Sequence, residues 1–483
     1  MSKHFIVIGA GVGGLGIALR LSHRGHRVTL LEKGDQVGGR NRREYVGDCR
    51  FDAGPTLLMM LDPFRKLFAD IGEDFDQLIP HRLCEPTYRV FFADGTRFDG
   101  TTDRAQMVQR IEAMSGRRDA DGYLGFLEEL KGLYEAAIPN FVRKNYQSVW
   151  DFASPSQLQR VVKHHMLGNL ANRIEKRFDD PKLRMLFSFQ TMYLGLSPYD
   201  APWVYGTLAY MEYGEGIFYP DGGLARISEV MGEQALKRGV EIRLNSPVQK
   251  IEGRRVILES GHIIEGDVVI ANADMPYAQR ELTQSPPRRK LRYSCSAHMM
   301  YIEYEGDLPE LEHHNVVFGA NFKQNLDSLF HDLRMPEDPA FYVCVSKRSD
   351  AGAAPEGRLN VFILVPVPNL DCPMDDKDRE RLEQTVYERL KKECGFDISR
   401  IQAIKRRGPQ QWQDELNLER GAAFGISHDL FQSAFMRPQN RSKTNPDLFF
   451  VGASTVPGNG LPMVLISAEL VEQRLIGEGV ITP

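Results

Sequence analysis

The chain has 483 residues and a net charge of −5. It exceeds the size at which one hydrophobic core keeps growing, so we expect two or three lobes, and its charge gives no electrostatic reason to expect nucleic acid as a partner. No window approaches the ~20 apolar residues that a spanning helix needs, which excludes an integral membrane protein and leaves attachment to a membrane surface open.

Six cysteines are scattered along the chain without a C-x-x-C pair. Their spacing predicts no zinc site, no dithiol redox centre and no disulfide framework, and it fits a reducing compartment. The sequence begins directly with an apolar strand, so we expect no signal peptide and a cytoplasmic protein. The cysteines are Cys49, Cys84, Cys295, Cys344, Cys372 and Cys394.

The first predicted elements are a strand, a glycine-rich turn, a helix and a second strand. Residues 5–8 form a short apolar run typical of a buried parallel strand. Gly9, Gly11 and Gly14 follow in G-x-G-x-x-G spacing and lead into a helical pattern. Residues 27–31 then form the next strand, which ends on an acidic residue.

This order of elements indicates a dinucleotide site. Gly9 permits the tight turn, Gly11 lets the backbone approach a pyrophosphate, and Gly14 allows the helix to pack closely on the strand. Glu32 lies 18 residues after Gly14, where a carboxylate accepts hydrogen bonds from an adenosine ribose. A glycine turn without a ligand is the structural alternative, and the order strand, glycines, helix, strand and acid argues against it.

The next residues favour a flavin over a nicotinamide. Glu32 and Lys33 run into a glycine pair that ends at Gly39 and is followed by Arg40. Such a loop can close over a diphosphate while its guanidinium pairs with phosphate oxygens. A nicotinamide that must exchange has less need of this clasp than a flavin that stays bound. A solvated basic loop is the alternative, and it suits residues 42–43 better.

The predicted elements of the remaining chain divide into two interleaved lobes. We assign residues 1–75, 220–285 and 435–483 to the cofactor lobe, and residues 76–219 and 286–434 to the substrate lobe. Residues 285–294 are the expected connection between lobes. The predicted strands are 87–92, 240–244, 248–251 and 342–345, with a hairpin around Gly261, and the predicted helices are 158–178, 183–192 and 224–236.

A second glycine cluster lies near the other end of the chain. Residues 448–451 form a buried-strand run, Gly452 begins a loop, and Pro462 stands at the start of an apolar helix over 463–476. A helix N-terminus reached through glycines offers partial positive charge to an anion, such as a reduced flavin ring. The alternative is simply the last strand–helix unit of a sheet.

Several stretches together resemble the bacterial-type phytoene desaturases, a family of carotenoid-modifying flavoproteins within the flavin monoamine oxidase-like superfamily. The likeness rests on GAGVGGL and LEKGDQVGGR near the N-terminus, FDAGPT at 51–56, and DVVIANADMP at 267–276. YMEYGEGIFYPDGG from residue 210 and VGASTVPGNGLPMVLISAELV from residue 451 complete it. One departure is Val456, where many members carry a histidine, and this bears on the desaturase subtype.

The resemblance implies an α/β fold, with a discontinuous Rossmann-like FAD-binding domain and an α+β substrate-binding, membrane-associating domain. It also implies that FAD is the cofactor and that named positions hold it. The residues implied to bind FAD are Gly9, Gly11, Gly14, Glu32, Lys33, Gly39, Arg40, Val248, Asn272, Gly452, Ala453, Leu461, Pro462 and Met463.

The family likeness implies desaturation of an acyclic polyene such as phytoene, with oxygen or a membrane quinone as electron acceptor. A C40 polyene that left lipid for water would lose on the order of 30 kcal/mol, so the enzyme must take it directly from a membrane surface. Residues 150–178 mix apolar and basic side chains and could form an interfacial helix. An ordinary amphipathic helix is an equal alternative.

No catalytic residue stands out from the sequence. Glu212 and Asp200 are candidate bases because they neighbour the motif-rich aromatic segment, and structural carboxylates are the alternative for both. Other functions stay open: a C30 dehydrosqualene-type or late acyclic carotenoid desaturase, a carotenoid isomerase or saturase, an amine oxidase-like flavoprotein, or a non-enzymatic prenyl-protein escort. No metal is expected.

Overall fold

The computed structural model describes residues 2–146, 149–152, 154–286 and 289–483. In the described part of the chain, strands and helices from distant segments assemble two lobes. The strands are β1 His4–Ile8, β2 Arg27–Leu31, β3 Arg43–Val46, β4 Cys49–Asp52, β5 His81–Leu83, β6 Arg89–Phe91, β7 Arg97–Asp99, β8 Phe218–Pro220, β9 Glu241–Arg243, β10 Val248–Glu252, β11 Arg255–Leu258, β12 Ile263–Glu265, β13 Val268–Ala271, β14 Ser296–Glu305, β15 His314–Val317, β16 Phe341–Val345, β17 Arg358–Val367, β18 Ile401–Arg407 and β19 Leu448–Phe450.

The α-helices vary from single turns to long rods. They are α1 Val12–His23, α2 Asp62–Asp70, α3 Phe75–Leu78, α4 Arg104–Ser115, α5 Arg117–Ala137, α6 Val149–Phe152, α7 Pro155–Lys163, α8 Leu170–Arg177, α9 Pro181–Leu186, α10 Thr207–Tyr210, α11 Ala225–Lys237, α12 Met275–Tyr277, α13 Phe322–Phe330, α14 Asp376–Cys394, α15 Pro409–Leu416 and α16 Leu461–Gly477. None of those described is long and apolar enough to cross a bilayer.

A five-stranded parallel sheet forms the centre of the first lobe, in the order β19–β13–β1–β2–β9. Its strands are apolar on both faces because both faces are covered. Phe5 and Val7 of β1 pack into one apolar cluster, while Ile6 and Ile8 pack into another. All five strands lie within the three segments assigned to the cofactor lobe, and the lobe boundaries themselves stay a prediction.

The two faces of this sheet carry different layers. Helices α1, α11 and α16 cover one face, and the antiparallel sheet β10–β11–β12 covers the other through Ile251 and Val256. The predicted hairpin is confirmed, since β11 pairs antiparallel with β12 and Gly261 turns between them with φ +82°.

The second lobe is built on a seven-stranded sheet in the order β18–β14–β17–β16–β15–β6–β7. Its neighbouring strands run antiparallel except the pair β15 and β6. Helices α4, α5, α8 and α9 pack in one apolar cluster with this sheet, and α14 packs in another.

The continuous helix predicted over 158–178 is wrong. Helix α7 ends at Lys163, and α8 begins only at Leu170. His165 takes the left-handed backbone conformation with φ +50°, and the Asn169 side chain caps α8 by accepting from the Asn172 N–H at 2.9 Å. The predicted connection 285–294 and the interfacial segment 150–178 both include residues outside the described ranges.

Candidate active site

A cavity of about 900 Å³ lies where the two lobes meet. One end is walled by the glycine loops and the other by apolar and aromatic side chains. All the residues predicted to bind the cofactor line this cavity, except Gly14. Their roles toward FAD stay predictions, but the fold brings them to one wall.

The carboxyl edge of the parallel sheet explains why they converge. Gly9 follows β1, Glu32 follows β2, Asn272 follows β13, and Gly452 lies just beyond β19. Parallel strands present their carboxyl ends at one edge, and ligands bind in the crevice outside it. Residues from both ends and the middle of the chain therefore share one site.

The first glycine loop leaves no room for side chains. Gly9 has φ +97°. A Cβ on Gly14 would lie 2.0 Å from the Gly9 carbonyl oxygen. A Cβ on Gly11 would lie 2.7 Å from Asn272 Oδ1. Gly14 thus lets α1 pack against the turn, while the uncapped first turn of α1 lines the cavity and presents N–H groups suited to a phosphate.

Backbone donors fix the carboxylate of Glu32. Its Oε2 accepts from the Ala10 N–H at 2.8 Å, and its Oε1 accepts from the Gly34 N–H at 2.9 Å. Each carboxylate oxygen retains acceptor capacity, so Glu32 is oriented at the cavity wall and still able to accept hydrogen bonds from a ribose.

The second loop brings a guanidinium to the same wall. Gly38 and Gly39 have φ +110° and +56°, and Arg40 Nη1 donates to the Ala423 carbonyl at 3.1 Å. Burial lowers the pKa of Arg40, and the charge of Asp274 opposes that change. Asp274 also accepts a hydrogen bond from the Ser454 hydroxyl.

Asp274 is a candidate functional position that was not predicted from the sequence, although it stands in the DVVIANADMP motif. Burial raises its pKa, whereas Ser454 and Arg40 act to lower it. The charges of Arg40 and Asp274 therefore act on each other across the cofactor end of the cavity. The signal that could have found Asp274 is its place just after a predicted strand.

The C-terminal loop is held by side chains behind it. Gly452 has φ +118°, and a Cβ there would lie 2.7 Å from Asn272 Nδ2. That amide donates to the Val451 carbonyl at 3.0 Å, and the Gly452 N–H donates to Ser467 Oγ at 3.1 Å. The first residues of α16, Leu461, Pro462 and Met463, line the cavity. The helix begins at Leu461, one residue before the predicted start at Pro462.

Arg437 is a second residue that the sequence did not reveal. It is buried and donates to the carbonyls of Thr455 at 3.0 Å and Ala453 at 2.7 Å. Burial lowers its pKa to about 10. Arg437 thus clamps the loop that begins at Gly452, and no sequence pattern distinguishes it from a surface arginine.

Val248 lines the cavity at the start of β10. Ser246, Pro247 and Glu259 line the cavity with it, and the Ser246 N–H donates to the Glu32 carbonyl at 2.8 Å, so this segment lies beside Glu32. Burial lowers the pKa of Lys33, and Glu32 opposes that change.

The far end of the cavity is apolar. Its wall combines side chains from both the helical layer and the seven-stranded sheet. They include Phe141, Tyr146, Phe189, Met192, Tyr193, Tyr205, Leu208, Met211, Phe318, Phe341, Tyr342 and Leu364. Such a surface can bind a long hydrocarbon by shape and burial, with few polar groups to fix a head group.

The two candidate bases, Asp200 and Glu212, lie in different environments. Asp200 is exposed and lies 3.1 Å from His331 Nε2, outside the cavity, so it is a surface carboxylate beside a histidine. Glu212 is fully buried one layer behind the apolar wall. Its Oε2 accepts from the Tyr193 hydroxyl at 3.0 Å, and its Oε1 accepts from Gln190 Nε2 at 3.3 Å.

One further cluster was not anticipated from the cysteine spacing. Cys84, His313 and His314 are all buried, and one ligand-type atom from each lies within 4.8 Å of the others. Burial raises the pKa of Cys84 to about 12 and lowers the pKa of His313 to about 3. Both side chains are therefore neutral at pH 7. The cluster lies outside the cavity wall.

Comparison with known proteins places this geometry in a family. The profile of the flavin containing amine oxidoreductases matches residues 12–475. An oxidoreductase from Methanosarcina mazei has a similar structure, with a TM-score of 0.65 at 17% identity, covering 97% of this chain and all of that one. The predicted α/β fold and FAD as cofactor are confirmed.

Curated relatives extend the match to the whole chain. The zeta-carotene-forming phytoene desaturase of Myxococcus xanthus is 38% identical over 98% of this chain and 94% of its own length. The phytoene desaturase of Fusarium fujikuroi is 34% identical over 99% and 90%. The chain therefore belongs to the flavin containing amine oxidoreductases and, within them, to the phytoene desaturase family, as its motifs predicted.

Proposed function

We propose that this enzyme is an FAD-dependent carotenoid desaturase that converts phytoene, or a closely similar acyclic polyene, by removing hydrogens from adjacent carbons. One observation carries the proposal: a single cavity joins a wall of glycine backbone and two helix N-termini to a wall of apolar side chains. The first wall suits a flavin nucleotide, and the second suits a hydrocarbon without a polar head group.

The cofactor end fits FAD residue by residue. Gly9 and Gly11 would admit the pyrophosphate beside the start of α1, Glu32 would bind the ribose, and Arg40 would neutralise phosphate charge. The N-terminus of α16, at Leu461, would stabilise negative charge on the ring system. When bound, FAD supplies a hydride acceptor and thus the oxidising chemistry.

The chain's own contribution at the substrate end is orientation and exclusion of water. The apolar wall combines Phe189, Met192 and Tyr193 of one helical segment with Tyr342 and Leu364 of the seven-stranded sheet. A polyene laid between them exchanges water for hydrocarbon and aromatic contacts along its length, at ~25 cal/mol per Å² of buried apolar surface. This burial aligns the chain of double bonds with the cofactor end.

The protein also has an exposed apolar patch suited to a membrane surface. We define the docking patch as Trp150, Leu158, Val162 and Leu167, whose exposed fractions are 78%, 47%, 72% and 56%. Single exposed apolar residues are ordinary, but four within one short stretch are not.

The docking patch adjoins the apolar end of the cavity. Gln157 Nε2 of α7 donates to the Asn140 carbonyl at 2.8 Å, and residues 141–146, which follow Asn140, contribute Phe141, Lys144 and Tyr146 to the cavity wall. Basic side chains of α7, Arg160 and Lys163, accompany the patch. We infer that this face rests on the membrane, so that the polyene enters without crossing water and a membrane quinone or oxygen accepts the electrons.

The deciding experiment supplies the purified flavoprotein with liposomes that contain phytoene, and follows coloured products by chromatography. Conversion of phytoene to more conjugated products is the expected result. Persistence of colourless phytoene while a C30 or late acyclic precursor is converted would replace the substrate, and isomerised or saturated products would replace the reaction class. Purified protein that cannot take up FAD would overturn the proposal altogether.

A further inference from the structure

Glu212 is a buried carboxyl group without a cation. Its side chain is fully inaccessible, and none of the described lysine, arginine or histidine side chains forms an ion pair with it. Buried charges are normally paired because desolvation is costly. An unpaired buried carboxyl group does not stabilise the folded protein when it is ionised, so we expect Glu212 to have a functional role.

Its neighbours form a chain of hydroxyl groups that leads to the cavity. Tyr193 lines the apolar wall and donates to Glu212 Oε2 at 3.0 Å. The Tyr193 hydroxyl can also donate to the Tyr88 hydroxyl oxygen, at 2.7 Å, so its single proton has two acceptors within reach, the Tyr88 oxygen and Glu212 Oε2. Gln190 Nε2 donates to the other carboxyl oxygen, Oε1, at 3.3 Å.

The titratable groups that face Glu212 are all tyrosines, namely Tyr88, Tyr193 and Tyr213. Burial raises the pKa of Glu212 to about 7, while hydrogen bonds from its neighbours oppose that change. Burial also raises the pKa of each tyrosine far above its ordinary range. Near neutral pH, Glu212 is thus the group in this cluster that exchanges a proton.

Among the described residues, four carboxylates line the cavity itself, namely Glu32, Glu259, Asp274 and Asp414, and of these Glu259 and Asp414 are exposed. Glu32 is held by two backbone N–H groups, and Asp274 is engaged by Ser454 and by the charge of Arg40. Both stand at the cofactor end, beside the glycine loops. Glu212 is the carboxyl group connected to the apolar end, through Tyr193.

We propose that Glu212, acting through the Tyr193 hydroxyl, accepts the proton that the polyene loses during desaturation. This inference rests on the proposed function. Of the two hydrogens removed from adjacent carbons, one would leave with its electron pair, which FAD could accept when it is bound. The other leaves as a proton to the Tyr193 oxygen while the Tyr193 proton moves to Glu212 Oε2, and the C–H electron pair becomes the new double bond.

The balance closes when the cofactor is reoxidised. Oxygen or a quinone takes the two electrons together with two protons, one of them the proton stored on Glu212, which regenerates the carboxylate. Tyr193, which lines the cavity, is the group that meets the substrate, whereas Glu212 is a positioning residue that sets the direction of proton flow.

The test is anaerobic single-turnover reduction of bound FAD by phytoene in liposomes, followed by absorbance between pH 5.5 and 8.5. In the wild type the rate should rise with pH to a plateau, with a midpoint near 7. Glu212→Gln should lower the plateau by about 10²- to 10⁴-fold and abolish the rise with pH. Tyr193→Phe should lower the rate similarly.

The matched control is Tyr134→Phe, which removes a tyrosine hydroxyl outside the cavity wall. It should keep the wild-type rate and pH profile. Bound FAD and the thermal unfolding midpoint report whether each variant is folded, and if Glu212→Gln fails to fold, Tyr193→Phe and the wild-type pH profile decide the question.

The possible outcomes distinguish the proton-acceptor role of Glu212 from the proposed desaturase function on which it rests. Wild-type protein that is not reduced by phytoene contradicts the proposed substrate. Wild-type protein that is reduced at a rate independent of pH, or a folded Glu212→Gln protein with the wild-type rate and profile, overturns the proton-acceptor role and leaves the proposed desaturase intact.

Discussion

The two ends of the cavity are built by opposite means. At the cofactor end the wall is backbone, held in left-handed turns at Gly9, Gly38 and Gly452, with little space for a Cβ. At the apolar end the wall is made of side chains such as Phe189 and Tyr342, which come from a helical layer and a sheet. The cofactor end depends on positions that lack a Cβ, and the apolar end depends on the volume of large side chains. The two ends should therefore respond differently when a side chain is added or removed.

The sharpest test of this contrast is Gly14→Ala. The added Cβ would lie 2.0 Å from the Gly9 carbonyl oxygen, and neither backbone segment can yield easily. We expect loss of bound FAD, loss of activity, and a decrease in the free energy of unfolding by about 3 kcal/mol or more. FAD content after purification and the unfolding midpoint measure both effects.

Gly132→Ala is the control, because Gly132 lies within α5 and its added Cβ meets only His164 Cε1 at 3.8 Å. It should keep FAD and raise stability by about 0.5–1 kcal/mol. Retention of FAD by Gly14→Ala would show that the glycine loop is less constrained than its geometry indicates.

The buried carboxyl behind the apolar wall predicts a pH dependence of stability. Folding raises the pKa of Glu212 from 4.5 to about 7, so its neutral form stabilises the folded state fully below pH 4.5, and this contribution is lost as pH rises through 7. The loss is at most about 3 kcal/mol. Glu212→Gln, which stays neutral, should therefore gain stability relative to the wild type between pH 5 and 8.

Denaturant or thermal unfolding of both proteins at those two pH values measures the difference. Glu383→Gln serves for comparison, because its pKa is lowered to about 2 by His298 and Arg406 despite burial. Loss of that carboxylate should destabilise the protein by a similar amount at both pH values, because the stability that a lowered pKa provides is lost only as the pH falls below 4.5. A stability difference between Glu212→Gln and wild type that does not change with pH would contradict the assignment.

At the cofactor end, Arg40→Ala should weaken FAD binding without emptying the site. A charge-assisted hydrogen bond contributes about 1.5–3 kcal/mol, so we expect the Kd of the reconstituted apoprotein for FAD to rise roughly 10- to 100-fold. Arg226→Ala removes an arginine that pairs with Glu233 on α11, and it should leave the Kd unchanged. Equal effects of both substitutions would exclude a specific role for Arg40.

The smallest expected effect concerns the docking patch beside the apolar end. Val162→Asp places a charge on an exposed apolar position and should lower binding to liposomes roughly tenfold, or about 1.4 kcal/mol. Leu236→Asp, an equally simple change at a residue of α11 that is 59% exposed, should leave binding unchanged. Co-sedimentation with liposomes compares the two, and equal losses would argue against a localised docking face.

Much of the cofactor end of the cavity could be predicted from the sequence, because the patterns that indicate it are local. A buried strand, a glycine spacing and an acidic residue after the next strand each follow from a few neighbouring residues, and β1, α1 and β2 formed where they were predicted. The same local signals overextended the helix at residues 158–178, since helical periodicity does not show that the chain leaves α7 at His165, a residue other than glycine with φ +50°.

The sequence by itself determined the family, the fold class, the cofactor and the glycine-bearing wall, because backbone that must avoid a Cβ leaves a pattern in neighbouring residues. Only the tertiary structure decided that the charge of Asp274 acts on Arg40, that Arg437 binds the carbonyls of the last loop, and that Glu212 reaches the cavity through Tyr193. These contacts join residues from different elements, and their partners are set by how sheets and helices pack, which no short stretch of chain encodes.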